Sequence, residues 1–162
     1  YIRFKGAVID REGGLKRVMA MRRKERELGL DKKETYLKFA SKVSELSTKL
    51  STFIKEEVAK GKKIYIYGAS TRGSTLLQVA GLDYRQITAA AERNPFKWGR
   101  KMVGLKIPII SEEKARKIKP DYMLIGSWFF LAEFLEREKE YLKQGGKFIV
   151  ALPEFKIIGK EE

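Results

Sequence analysis

The sequence predicts an α/β fold: a Rossmann-like parallel sheet with flanking helices, preceded by a β-hairpin and a long N-terminal helix. Three observations carry that expectation. Apolar strand-like runs alternate with helical stretches through residues 61–162, which implies right-handed crossovers and a sheet covered on both faces. A helical apolar period runs through residues 36–58. Two β-prone runs, 1–9 and 15–21, flank Asp10-Arg11-Glu12-Gly13-Gly14, whose glycines suit a hairpin turn.

In chain order, the hairpin and a linker account for residues 1–30. A helix over 31–60 follows, with Asp31 and Glu34 as a capping pair, Leu37, Ala40, Val43, Leu46, Leu50, Phe53, Ile54 and Val58 on one stripe, and Gly61 as its end. At about 1.5 Å per residue it extends on the order of 45 Å, a length that serves either to connect two bodies or to pack along one. Beyond it, strands are expected at 63–67, 87–91, 122–126 and 147–151, and helices at 74–80, 111–118 and 131–143. Ser111 caps the second of these helices, and Gly145-Gly146 breaks the chain before the last strand.

The chain has 162 residues, 43% apolar and 11% aromatic, enough to bury the core of one ordinary domain, which excludes a disordered class. It has no cysteine and no histidine, so disulfides, thiol nucleophiles and the usual nitrogen and sulfur ligands of zinc are excluded, and no metal site is expected. No apolar run of membrane-spanning length occurs and the first residues do not form a signal peptide, so a cytoplasmic setting without a membrane partner is expected. The missing initiator methionine suggests a piece of something longer or a processed product. Thirty-five basic against twenty-one acidic residues give +14, which points to a polyanionic partner. The excess is shared between residues 1–60 and 61–162, but Arg93, Lys97, Arg100, Lys101 and Lys106 fall in a stretch, 93–111, that has no acidic residue. An evenly solvated basic surface and a discrete phosphate site are the two readings of this balance.

The turn after the first strand of such a sheet is where anions bind, because backbone N–H groups and a helix N-terminus converge there. Here that turn is Gly68, Ala69, Ser70, Thr71, Arg72, Gly73, Ser74 and Thr75: glycines at both ends, four hydroxyls, and a guanidinium able to grip phosphate. Its spacing is neither a Walker loop nor G-x-G-x-x-G. Glu92 ends the second strand, where a carboxylate can hold a ribose diol; capping a turn or pairing with Arg93 is its structural alternative. Asn94 follows as a further hydroxyl ligand. After the third strand, Trp128 is the candidate for stacking on a base, while Phe130 reads as core. Without histidine, cysteine or a spaced carboxylate pair, no catalytic residue is assigned, and the sequence reads as a binder.

The 68–77 segment, Gly-Ala-Ser-Thr-Arg-Gly-Ser-Thr-Leu-Leu, resembles the G-A-x-x-K/R-G-N/S-T-L-L segment in the C-terminal domain of SAM-dependent sugar C-methyltransferases of the deoxysugar-modifying type. Four further matches follow in order: Asn94-Pro95-x-Lys97-x-Gly99, Gly104-x-x-Ile107-Pro108-Ile109, Lys119-Pro120-Asp121-Tyr122, and Gly145-Gly146-Lys147-Phe148-Ile149 with Leu152-Pro153. Upstream, Gly13-Gly14 and Arg17 fall like the H-G-G-S-x-R turn that ends the family's SAM-binding domain. The sequence departs from the pattern at Glu12 for His, Leu15 for Ser, Glu92 for Asp, and Ser127 for the Pro that precedes the Trp.

The resemblance implies a three-part parent: a zinc-binding domain, a central SAM-binding domain with the catalytic residues, and a Rossmann-like domain that helps bind a nucleotide-sugar. By it, residues 1–30 are the end of the SAM-binding domain, 31–60 the connecting helix, and 61–162 the nucleotide-sugar-binding domain. No cofactor is then expected in this piece, with S-adenosylmethionine belonging to the parent. The implied partners are a dTDP- or other NDP-sugar and a SAM-binding domain, in cis or as a partner subunit. The alternatives are a stand-alone NAD- or nucleotide-sensing domain and, ranked last for want of any RNA or DNA motif, a basic nucleic-acid-binding domain.

Overall fold

Residues 11–159 are described by a computed structural model, and the chain divides into two compact units, 1–43 and 44–162. In the first, Arg11–Glu27 forms a helix, α1, so residues 15–21 are helical and not the second arm of a hairpin. Lys, Arg, Glu and Met, all strong helix formers, dominate from Lys16 onward and outweigh the weak alternation of Leu15, Met19 and Met21. Arg23 and Glu27 add an ion pair one turn apart at 3.8 Å. The expected first arm, 1–9, lies outside the described residues.

A left-handed residue at Gly29 (φ +65°) turns the chain into α2, Lys33–Ala59. Asp31 precedes the helix without capping it. Its start is held instead by Thr35 Oγ1 donating to the Gly29 carbonyl (2.7 Å) and the Tyr36 hydroxyl donating to that of Leu30 (2.6 Å).

In the second unit, Leu50 and Ile54 of α2 are fully buried, and Gly61 (φ +79°) ends the run. Strands and helices then alternate: β1 Ile64–Tyr67, α3 Thr71–Val79, β2 Ala89–Glu92, β3 Ile109–Ser111, α4 Glu112–Ile118, β4 Tyr122–Ile125, α5 Leu131–Arg137, α6 Lys139–Lys143, β5 Lys147–Val150 and β6 Lys156–Ile158. They form one six-stranded sheet in the order β3-β2-β1-β4-β5-β6, parallel throughout except for the antiparallel edge strand β6. This is the doubly wound order of the Rossmann fold.

The strands are apolar at successive positions because both faces are covered. Ile64, Ile66 and Leu124 point into a core layer shared with Leu50, Ile54 and Leu77 of the helices α2 and α3. Tyr65, Tyr67, Met123 and Ile125 point the other way, onto Ala115, Phe134, Tyr141 and Leu142 of α4, α5 and α6.

Three expectations change. Helix α3 begins at Thr71, capped by Ser70, instead of at Ser74. The single helix expected over 131–143 is two, broken at Glu138 (φ −106°, ψ +21°), whose side chain turns inward. Strands β3 and β6, each three residues long, were not expected. Ser111 does cap α4, accepting from the Lys114 amide at 3.1 Å. No described helix is long and apolar enough to cross a membrane.

Candidate functional site

Strands β1 and β4 are neighbours, but the chain leaves them toward opposite halves of the sheet, so a crevice opens at their carboxyl ends. Two glycines meet there. A Cβ on Gly126 would lie 2.9 Å from the Gly73 Cα, and one on Gly73 would lie 2.8 Å from Ile66 Cδ1, so the backbones pass at a distance that side chains would forbid. Gly68 supplies the tight exit from β1 with φ +85°, and open space lies where its Cβ would be.

The turn folds around its own hydrogen bonds. Ser70 caps α3, its Oγ accepting from the Gly73 amide (3.1 Å) and standing 3.3 Å from Ser127 Oγ across the crevice. Ser74 and Thr75 donate their hydroxyls back to the carbonyls of Ser70 and Thr71 (3.2 and 3.1 Å). Those two residues and Thr71 line a second groove of about 380 Å³, on the Gln78, Lys101 and Val103 side of the turn. Arg72 is exposed at the start of the helix, its guanidinium 5.5 Å over the Phe129 ring.

Glu92 binds the first two strand ends together. Its Oε2 accepts from the Ala69 amide (2.9 Å) and the Lys97 ammonium (3.1 Å), and its Oε1 accepts from the Asn94 amide (2.9 Å). Burial works to raise its pKa, but the Asn94 amide, Lys97 and the Ala69 amide outweigh it, and the carboxyl titrates below its ordinary value. Its ion-pair partner is thus Lys97, which also donates to the Ala69 carbonyl (3.0 Å), and not Arg93. The Trp98 indole donates to the Glu92 carbonyl at 2.7 Å and fixes the same corner. Asn94 caps a short 3-10 turn, Pro95–Lys97, by accepting from the Phe96 amide (3.0 Å), and does not line the crevice.

The crevice itself is a cleft of about 310 Å³ walled by Gly68, Ser70, Glu92, Arg93 and Lys97 on one side and by Ser127, Phe130, Glu133 and Arg137 on the other. The two aromatics after β4 exchange the expected places. Trp128 packs on the core layer of α4–α6, whereas Phe130 is 51% exposed and lines the cleft. The 3-10 turn Trp128–Phe130 causes this, since it rotates successive side chains to different sides where an extended chain would alternate them.

Beneath the cleft runs an ionic network that sequence spacing did not reveal, because its members come from β1, α4, α5 and the break before α6. The Tyr67 hydroxyl donates to Glu138 Oε1 (2.6 Å) and accepts from Arg137 Nε (2.9 Å). Arg116 holds Glu138 through Nε (2.9 Å to Oε2) and reaches Glu112 (3.0 Å), while Arg137 also pairs with Glu133 (3.0 Å). Burial, followed by Glu138, pushes the Tyr67 phenol well up, so it remains a neutral donor. A larger hollow, about 560 Å³, sits at the amino ends of β4 and β5 beside Pro120 and Gly146, with Arg116 in its lining.

A family model described as the C-methyltransferase C-terminal domain matches residues 6–153. C-methyltransferase NovU of Streptomyces niveus is 36% identical over 144 residues, which cover 89% of this chain and 34% of that protein. The chain therefore spans about a third of the length of this curated relative.

Proposed function

The chain belongs to the C-methyltransferase C-terminal domain family, and from that premise we propose that it is the nucleotide-sugar-binding domain of a SAM-dependent sugar C-methyltransferase. The observation that supports this reading is the crevice at the β1/β4 switch point, where Gly68 opens the turn, Gly73 and Gly126 bring two backbones together, and Ser70 and Ser127 face each other. The diphosphate lies against the 68–75 turn, near the first amides of α3, which precede any intrahelical bond. Ribose or sugar hydroxyls bond to the carboxylate of Glu92, with Asn94 beside it and Trp128 behind the wall that the base meets. Methyl transfer belongs to the whole protein, with S-adenosylmethionine as donor and the SAM-binding, catalytic part supplied in cis or by a partner subunit, in a cytoplasmic setting.

Calorimetric titration of the chain with dTDP, NAD and S-adenosylmethionine separately, at low salt, tests the proposal. Binding of dTDP alone is expected. Preference for NAD would replace this reading by a nucleotide-sensing domain, and silence toward all three would overturn ligand binding by this chain on its own.

A further inference from the structure

Three cations line the β1/β4 cleft, and they are not equivalent. Lys97 is held by Glu92 at 3.1 Å and by the Ala69 carbonyl at 3.0 Å. Arg137 is held by Glu133 at 3.0 Å, by Glu112 at 3.3 Å and by the Tyr67 hydroxyl at 2.9 Å. Both are committed to carboxylates of the same cleft, Lys97 to Glu92 and Arg137 to Glu112 and Glu133. Arg93 has no ion pair and no side-chain hydrogen bond among the described residues, and it is exposed at the mouth. Arg93 is therefore the one cation of the lining without a carboxylate partner among the described residues, with all five of its guanidinium N–H donors uncommitted.

Its position is fixed even though its head is free. Glu92, the preceding residue, is tied to the Ala69 and Asn94 amides, and the Trp98 indole bonds to the Glu92 carbonyl. The backbone that carries Arg93 is thus pinned on both sides, at the cleft that Ser70 and Ser127 also line. Arg72, the cation that the turn sequence offers, lies over the Phe129 ring and is absent from the cleft lining.

Resting on the nucleotide-sugar reading, we propose that Arg93 is the residue that grips the diphosphate, entering from the end of β2 and pairing bidentately with phosphate oxygens in the cleft that the Ser70 and Ser127 hydroxyls also line. Lys97 and Arg137 shape the cleft but do not bind the anion. The β2 end then meets both the charged and the hydroxyl-bearing parts of the substrate.

The test is titration of the 162-residue chain with dTDP and with inorganic pyrophosphate, for the wild type and for Arg93→Ala, Arg93→Lys and Arg100→Ala. Arg93→Ala is expected to weaken both ligands about tenfold, the scale of one charge-assisted bidentate contact. Arg93→Lys should recover part of that loss at low salt only, because a point charge is screened and lacks the fork geometry. Arg100→Ala removes an equal charge outside the cleft and should leave both affinities unchanged, which separates a specific grip from the general field of a +14 chain. Wild-type affinity in Arg93→Ala would overturn the assignment while leaving the nucleotide-sugar reading intact. Equal losses in Arg93→Ala and Arg100→Ala would overturn it in favour of a diffuse field. A wild-type chain that binds neither probe would overturn ligand binding by this chain on its own, and this assignment with it.

Discussion

Gly73 and Gly126 touch: the space that a Cβ on Gly126 would need is taken by the Gly73 Cα, 2.9 Å away, with Ile66 Cδ1 a further 0.4 Å out at 3.3 Å. Gly73 lies in the first turn of α3 and Gly126 directly follows β4, so the crevice floor is a backbone-to-backbone contact. Substituting Gly126→Ala forces rigid main chain apart and should cost about 1–3 kcal/mol. Gly73→Ala meets chiefly the end of a flexible isoleucine and should cost less. Thermal unfolding of the two variants checks the order, and a Gly73→Ala variant less stable than Gly126→Ala would contradict this packing.

Glu138 is the pivot of the network beneath the cleft, bonded to Tyr67 and Arg116 and 2% exposed. Glu138→Ala leaves a half-buried guanidinium and a buried phenol without their acceptor and should destabilise by about 3–5 kcal/mol. Tyr67→Phe removes one donor and should cost about 1 kcal/mol. Urea midpoints of both variants measure the difference.

Phe130 and Trp128 should separate binding from stability. Trp128→Ala removes a ring packed on the core layer of α4–α6 and should lower stability by on the order of 2 kcal/mol. Phe130→Ala removes a half-exposed ring from the cleft and should leave the melting temperature nearly unchanged while weakening dTDP binding. Paired melting and titration experiments read both quantities, and the opposite pattern would return the base to Trp128.

Acid should unfold the chain through identifiable carboxyls. Glu57 is held below its ordinary 4.5 by Lys60 and by the Tyr122 hydroxyl, Asp121 below 3.8 by the Lys63 amide and Lys62, and Glu92 below 4.5 by the bonds that overcome its burial. Each binds a proton more readily when unfolded. Their stabilisation is therefore fully present above the unfolded values and is lost as the pH falls through the depressed folded ones, from roughly pH 4 downward. Glu92→Gln should be less stable than the wild type near neutrality and should lose less on acidification. Denaturant midpoints taken from about pH 7 to about pH 3 report both.

What the sequence made legible followed from periodicity that a sheet buried on both faces enforces. Residues 63–67, 122–126 and 147–151 read as strands because Ile64, Leu124 and Ile149 are apolar alongside neighbours that face the other layer. The turn after β1 was legible from Gly68 and Gly73. What failed had local signals weaker than tertiary ones. Residues 109–111 and 156–158 are too short to show a period, and 15–21 alternates weakly while its straight-chain side chains favour a helix. The break at Glu138 exists because Arg116 and Tyr67 draw its carboxylate inward, a demand from residues 22 and 71 positions away. Phe130 and Trp128 could be sorted only once the 3-10 turn was seen, and the split between committed and free cations required the partners themselves.

The three bonds that Glu92 accepts join the exits of β1 and β2 into one stiff corner before any ligand arrives. Little chain ordering is left for the moment of association, so the unfavourable entropy of binding falls mainly on the incoming molecule. The encounter should be a quick, single-step capture whose temperature dependence reflects displaced water more than a refolding loop.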